Sequence, residues 1–272
     1  MKKWILLAAS LSLVAIAVKL YPVAQILLAE EPAEPIVVSN VNIMGKLKQT
    51  ADKKKKLNYL VLGDSVARGI GSKHSQHGYS SLVVKGLGKE RVPLRLINKG
   101  VVGQTSKKLY EAVRTPDVES HVKKADMISL TIGGNDLIKV ALEQDNRLSV
   151  LSDFNSIQSN YQKNLAGILS HIRKMNPDAP ILLTSLYNPI SPDESYYNLS
   201  NKLLKKWNVG LKEVAYRYSM THVVDVNTRL RAGKGTWLSD EIHPNDRGYR
   251  MIADGILHDI RFPSQTSAKA GK

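Results

Sequence analysis

A parallel β-sheet with helices on both faces is the architecture that this chain leads one to expect. Five short apolar runs, at 57–62, 94–97, 127–132, 181–186 and 222–226, have the length and punctuation of buried strands. Longer amphipathic stretches at 154–175, 196–218 and 246–260 separate or follow the later runs. Strand and helix in alternation, with no internal repeat, indicate an α/β domain. The first run, Leu57-Asn58-Tyr59-Leu60-Val61-Leu62, is ended by Gly63. In the first helical stretch Ile157, Tyr161, Leu165, Ile168, Leu169 and Ile172 recur at helical spacing, which aligns them on one face. Ligands of such open sheets sit outside the carboxyl ends of the strands, so the residues just after each run are the first to inspect.

The flanks of the domain differ from it. The 272 residues suffice for one domain plus an extension, and an apolar share of 43% is ordinary for a globular chain. Met1-Lys2-Lys3 precedes fifteen mostly apolar residues, 4–18; Lys19 interrupts them, and apolar residues resume to Ala29. A spanning helix needs about 20 apolar residues in succession, so residues 1–29 suit a signal-peptide core. Leu27-Leu28-Ala29 is a poor small-x-small cleavage site, which leaves an uncleaved N-terminal membrane anchor equally open. Either reading is extracytoplasmic, secreted or anchored. Residues 30–56 read as a linker, acidic and Pro-rich at first and strongly basic at the end. The domain then occupies 57–262 and a polar tail 263–272.

Charge and composition narrow the partners. With 39 basic against 24 acidic residues the formal charge is +15, which attracts anionic polymers or lipid headgroups and says nothing about fold. Nucleic acid is not expected, because the cations are scattered outside the lysines at 53–56 and no aromatic platform or zinc pattern accompanies them. Those four lysines are a solvated spacer or a contact with an anionic membrane or cell-wall polymer. The chain has no cysteine, which excludes disulfides, thiolate metal sites, a cysteine nucleophile and a lipid-modified N-terminal cysteine.

Three segments at the ends of runs carry candidate chemistry. After the first comes Gly63-Asp64-Ser65-Val66-Ala67-Arg68-Gly69, where a strand-to-helix turn can expose a hydroxyl; an ordinary glycine turn is the bland alternative. A phosphate loop is ruled out because no Gly-Lys-Ser/Thr follows. After the third run comes Thr131-Ile132-Gly133-Gly134-Asn135-Asp136, where Asn135 offers an amide donor or simply caps a helix. Near the C-terminus Asp240 precedes His243 by three residues, so one tight turn can bring carboxylate to imidazole. A surface histidine before a helix start is the alternative there. His74-Ser75-Gln76-His77 lacks the glutamate of a zinc-protease site and reads as a surface loop. Asp64 is assigned to structure, since neighbouring side chains diverge. Glu143, Glu194 and Glu213 form no glycosidase pair, and Tyr196, Tyr197 and Trp207 fit core packing better than a pocket wall.

Together these segments resemble the SGNH/GDSL hydrolase family. Gly63-Asp64-Ser65 is similar to its first block, and Asn98 to Ser106, containing Gly103, to its second. Gly133-Gly134-Asn135-Asp136 resembles the third, and Asp240-Glu241-Ile242-His243-Pro244 the last. The blocks stand in family order over roughly 57–260; Val66 replaces the commonest leucine of the first. The resemblance implies a flavodoxin-like, three-layer α/β/α domain with a parallel sheet of about five strands, the SGNH hydrolase fold. It also implies Ser65 as nucleophile, with Asp240 and His243 completing a catalytic triad. The oxyanion hole would be the backbone N–H groups of Ser65 and Gly103 with the Asn135 amide. No metal and no organic cofactor is needed. The expected activity is carboxylic-ester hydrolysis, as a lipase or acylhydrolase (lysophospholipids included) or as an O-acetylesterase of wall or other polysaccharide. A non-catalytic envelope-binding module is the reading from another class.

Overall fold

The computed structural model describes residues 42–137, 147–232 and 236–262, with isolated positions 21, 24, 28 and 33 before them. Most of the apolar run at 1–29, most of 30–41 and the tail 263–272 lie outside the described residues.

Five strands form one sheet: β1 (Leu57–Gly63), β2 (Leu94–Asn98), β3 (Met127–Thr131), β4 (Ile181–Thr184) and β5 (Thr221–Val224). All neighbours pair in parallel, in the order β2-β1-β3-β4-β5. Every strand found was foreshadowed by an apolar run, and the runs were apolar for a physical reason. Leu60, Leu62, Ile128 and Leu130 bury on one face, while Leu57, Tyr59, Val61 and Met127 bury on the other. A strand covered on both sides has no solvent face to supply polar alternation. The expected three-layer, flavodoxin-like α/β fold is the one observed.

The helices fall into two layers. Against the first face pack α4 (Ser106–Ala112), α5 (Pro116–Lys124), α6 (Arg147–Met175) and α7 (Tyr197–Ala215). Against the second pack α1 (Ile43–Ala51), the single turn α2 (Ser65–Arg68), α3 (Tyr79–Lys89), α8 (Val226–Ala232) and α9 (Asp246–Arg261). The longest stretches, α6, α7 and α9, were legible as amphipathic periodicity. The shorter ones were not: α5 buries only Val118 and Val122, too few repeats to register. Among the described residues no helix is long and apolar enough to cross a membrane.

One boundary moves. Residues 43–51, inside the stretch read as a linker, form α1, because Ile43 and Leu47 stand one turn apart and are each 1% exposed. They join the same buried cluster as Tyr249, Ile252 and Ile256 of α9. Asn42 caps α1, its Oδ1 accepting from the Gly45 N–H at 2.7 Å. The folded unit therefore starts near Asn42 rather than at Leu57.

Strand order also locates the functional crevice. From β1 the chain crosses to β2 on one side, then returns past β1 to place β3 on the other. The carboxyl ends of β1 and β3 flank this switch point, where loops diverge and leave a cleft. Ser65 follows β1 and Asn135 follows β3.

Candidate active site

The turn after β1 is set by Gly63 (φ +132), where a Cβ would lie 1.9 Å from the Thr131 carbonyl oxygen. Only glycine lets β1 and β3 remain paired while the chain turns out of the sheet. Asp64 then caps α2, Oδ1 accepting from the Val66 N–H at 2.9 Å. Ser65 is the first residue of that turn and is 7% exposed.

His243 reaches Ser65 from the far end of the chain. Its Nε2 lies 2.9 Å from Ser65 Oγ, and its Nδ1 lies 2.7 Å from Asp240 Oδ2. A carboxylate on Nδ1 fixes the tautomer, so that Nδ1–H donates to Asp240 and Nε2 accepts from the serine hydroxyl. The other Asp240 oxygen accepts from the backbone N–H groups of His243 (2.7 Å) and Ile242 (2.9 Å). Partial loss of water raises the Asp240 pKa, but these bonds and the imidazole outweigh it and hold the carboxyl down at about 2. A bridge between Leu238 and Pro244 closes the hook, and Asn245 caps α9 directly after it.

The second wall comes from the loop between β2 and α4. Asn98 ties it to α2, donating from Nδ2 to the Ala67 carbonyl at 2.8 Å, and the Val101 N–H donates to the Gly63 carbonyl at 2.9 Å. Gly103 has φ +71 and open space where a Cβ would stand. The left-handed backbone calls for glycine there. Asn135 donates from Nδ2 to the Gln104 carbonyl at 3.0 Å, which holds it beside this loop and leaves its second amide hydrogen without a partner among the described residues. The structure thus brings Ser65, Gly103, Asn135, Asp240 and His243 to one end of the sheet.

Two carboxylates here carry more than sequence reasoning gave them. Asp136 accepts from the Ser106 N–H at 2.9 Å and from Ser106 Oγ at 2.5 Å, clamping the start of α4 to the segment after β3. Burial raises its pKa against the pull of those bonds. Asp64 is 4% exposed and stands between the switch-point loops. Burial is the main cause that pushes its pKa up to about 7; the N–H groups of Val66 and Ala67 and the charge of His243 oppose it, and Asp136 adds to it.

A cavity of about 340 Å³ opens beside Ser65 and His243. Its lining is mainly apolar, with Leu137, Phe154, Leu186, Ile190, Leu203 and Leu204, and includes the polar Thr131, Thr184 and Ser185. The wall residues come from the segment after β3, the loop after β4, and α6 and α7. Only their place at the carboxyl end of β4 hinted at a site.

The remaining candidates lie elsewhere. Trp207 is fully buried, 4.5 Å from Tyr161 and 6.1 Å from Phe154 between ring centroids, whereas Tyr196 is 62% exposed and Tyr197 half-buried. His74 Nδ1 lies 2.7 Å from Asp246 Oδ2 in a loop where Ser72 and backbone N–H groups also bind Asp246. Those bonds hold the Asp246 carboxyl well below the usual carboxylate range, the Ser72 hydroxyl most strongly. Among the described residues no three histidine, cysteine, aspartate or glutamate side chains converge in a group able to hold a metal. Glu143 lies outside the described residues.

Comparison with known proteins gives three informative likenesses. The spore germination lipase LipC of Bacillus licheniformis is 28% identical over 208 residues, 74% of this chain and 94% of that protein. The solved lipase Lip_vut3 from a goat rumen metagenome superposes with a TM-score of 0.61 at 25% identity, over 74% of this chain and 96% of that one. A catalytic mutant of the acetylxylan esterase Axe2 from Geobacillus stearothermophilus shares the fold, with a TM-score of 0.58 at 20% identity over 78% and 97%. The model of the GDSL-like lipase/acylhydrolase family matches residues 61–251, from inside β1 to inside α9 and across every segment that meets at the cleft. This chain is a member of the GDSL-like lipase/acylhydrolase family.

Proposed function

We propose that this protein is a serine hydrolase that cleaves the carboxylic esters of lipids, and that it works outside the cytoplasm. The observation that carries the reading is the run of contacts Ser65–His243–Asp240, 2.9 and 2.7 Å long, at the mouth of an apolar cavity.

A serine hydroxyl is a weak nucleophile at neutral pH and needs a base within hydrogen-bond reach. His243 Nε2 takes the Ser65 proton as Oγ attacks the ester carbonyl, and Asp240 steadies the resulting imidazolium. The C–O double bond opens, and negative charge gathers on its oxygen. The backbone N–H groups of Ser65 and Gly103 and the second amide hydrogen of Asn135 receive that charge. The imidazolium then protonates the leaving alcohol, leaving an acyl group on Ser65. Water, activated by the same histidine, releases the acid and restores the serine.

Cavity size and polarity favour lipid acyl chains over acetyl groups. One water occupies about 30 Å³ of liquid, so an acetyl group leaves most of a 340 Å³ space in contact with water against apolar walls. Each methylene buried there adds about 0.8 kcal/mol. An O-acetylesterase of polysaccharides is the second reading, favoured by the polar lining residues Thr131, Thr184 and Ser185. Export rests on the positive start and apolar run of residues 1–29, whether cleaved or kept as an anchor.

A p-nitrophenyl ester series from acetate to laurate separates these readings. Turnover efficiency that climbs with chain length supports the lipid reading; a maximum at acetate supports the acetylesterase. A non-catalytic binding module would turn over none of them and would not be labelled by a fluorophosphonate.

A further inference from the structure

We propose that one rim of the cavity, made of Val101, Val102, Arg68, Lys107 and Lys108, is a docking surface for anionic phospholipid bilayers. The inference deepens the lipid-ester reading of the site and rests on it.

Large apolar side chains rarely stand in water without a reason when they cluster. Val101 (52% exposed) and Val102 (61%) are adjacent, on the same loop as Gly103. Ile70, 37% exposed, lies on the other side of Ser65, next to Gly71, where a Cβ would come within 3.2 Å of His243 Cβ. Exposed apolar residues thus stand on the Gly103 loop, tied by Val101 to the Gly63 carbonyl two residues before Ser65, and on the turn that packs beside His243.

Cations flank them. Lys107 and Lys108 are exposed on the first turn of α4, five and six residues beyond Val102. Arg68 is exposed at the end of α2, and its backbone N would lie 2.5 Å from a Cβ on Gly100, so it borders the same loop. The acidic neighbours on this side are Glu111, exposed on α4, and Asp117, which pairs with Lys99 at 2.8 Å. Across the cavity the loop after β4 exposes Asp193 and Glu194, and Lys202 on α7 and Arg231 over the Tyr197 ring offset them. The excess of positive charge lies on the β2–α4 side, which an anionic surface therefore meets first. Apolar tips inserted below the headgroups, with cations at headgroup level, are the arrangement that holds a peripheral protein on charged lipid. Docked this way, the cavity mouth faces the layer from which an acyl chain must be drawn.

The chain has no cysteine, so Val102→Cys gives a unique attachment point for an environment-sensitive fluorophore. Attached in the full chain carrying Ser65→Ala, the probe reports burial of this loop without turnover and independently of the N-terminal apolar run. Vesicles of phosphatidylcholine with 30% phosphatidylglycerol should shift its emission to the blue, and pure phosphatidylcholine should do so far less. A probe at Lys89→Cys, at the opposite end of the sheet, should not respond. Replacing Lys107 and Lys108 by Gln should weaken the partition by about fivefold for each charge, leaving hydrolysis of a soluble short-chain ester unchanged. A silent Val102 probe, an equal response to neutral vesicles, or a response to soluble polyphosphate but not to vesicles would overturn the docking surface. Loss of soluble-ester hydrolysis by the otherwise unmodified protein would instead overturn the functional reading, whatever the probe reports.

Discussion

The amide of Asn135 donates to the backbone carbonyl of Gln104, linking the segment after β3 to the loop that carries Gly103. One amide therefore has two tasks, a structural bond with one hydrogen and a proposed catalytic bond with the other. Asn135→Ala should lower kcat and kcat/KM together by about 10²–10³, since the catalytic bond is strongest in the transition state. Fluorophosphonate labelling should survive at a reduced rate, because Ser65 and His243 remain. Loss of the structural bond should also lower the melting temperature slightly, by the equivalent of about 1 kcal/mol. Kinetics and melting on the same preparation check both. A variant that melts early yet keeps wild-type kcat would confine Asn135 to structure.

Asp64 should make stability fall with rising pH. Its folded pKa, about 7, exceeds the usual 3.8, so between these values the folded state holds a proton that the unfolded state has released. The stabilising contribution is complete below about pH 4, shrinks as pH rises and is gone above about pH 7. Urea titrations at pH 4.5, 6 and 7.5 should show that slope, and Asp64→Asn should flatten it. Asparagine caps a helix as well as aspartate does, so the variant should keep its fold. An identical slope in the variant would assign the effect to another group.

The newly located α1 predicts where the chain can be shortened. A protein beginning at residue 40 should melt like the full domain. One beginning at Asp52 loses Ile43 and Leu47, each 1% exposed, and with them roughly 3–6 kcal/mol of burial. That is a large share of a typical total of about 5–15 kcal/mol. Thermal melting of the two side by side measures the difference, and equal melting temperatures would make α1 dispensable.

Leu203 lines the cavity from α7. Leu203→Trp should shorten the preferred acyl chain and lower kcat/KM for long esters, with acetate hydrolysis nearly unchanged. The ester series in the variant reads this directly. A proportional loss on all substrates would point to a disturbed fold rather than a shortened channel.

Several of these expectations concern residues that sequence patterning exposes, and others concern residues it hides. The strands were legible because burial on both faces leaves continuous apolar runs, such as Leu60-Val61-Leu62, which nothing else explains. Ser65, Asn135 and His243 were legible because each stands just past a run or just before a long helix. The clamp between Ser106 and Asp136 was not, since 30 residues separate partners that only the fold brings together. α1 fully buries only Ile43 and Leu47, and two such residues one turn apart in a nine-residue helix do not make a pattern. The cavity walls were equally hidden, since Phe154, Leu186 and Leu204 look like any core residues until the loops around them leave space.

The hook from Leu238 to Pro244 has an implication for how this chemistry tolerates change. Asp240 and His243 are matched to each other by bonds inside a few residues, through two backbone N–H groups and one side-chain contact. Their acid–base partnership is therefore settled locally and travels as a unit, anchored where Asn245 starts α9. The rest of the protein has to keep the 2.9 Å between His243 and Ser65 and the bond that holds Asn135 beside the Gly103 loop. Drift elsewhere in the chain can reshape the cavity walls without retuning the proposed proton transfer, provided α2, the start of α9 and the Gly103 loop hold their places.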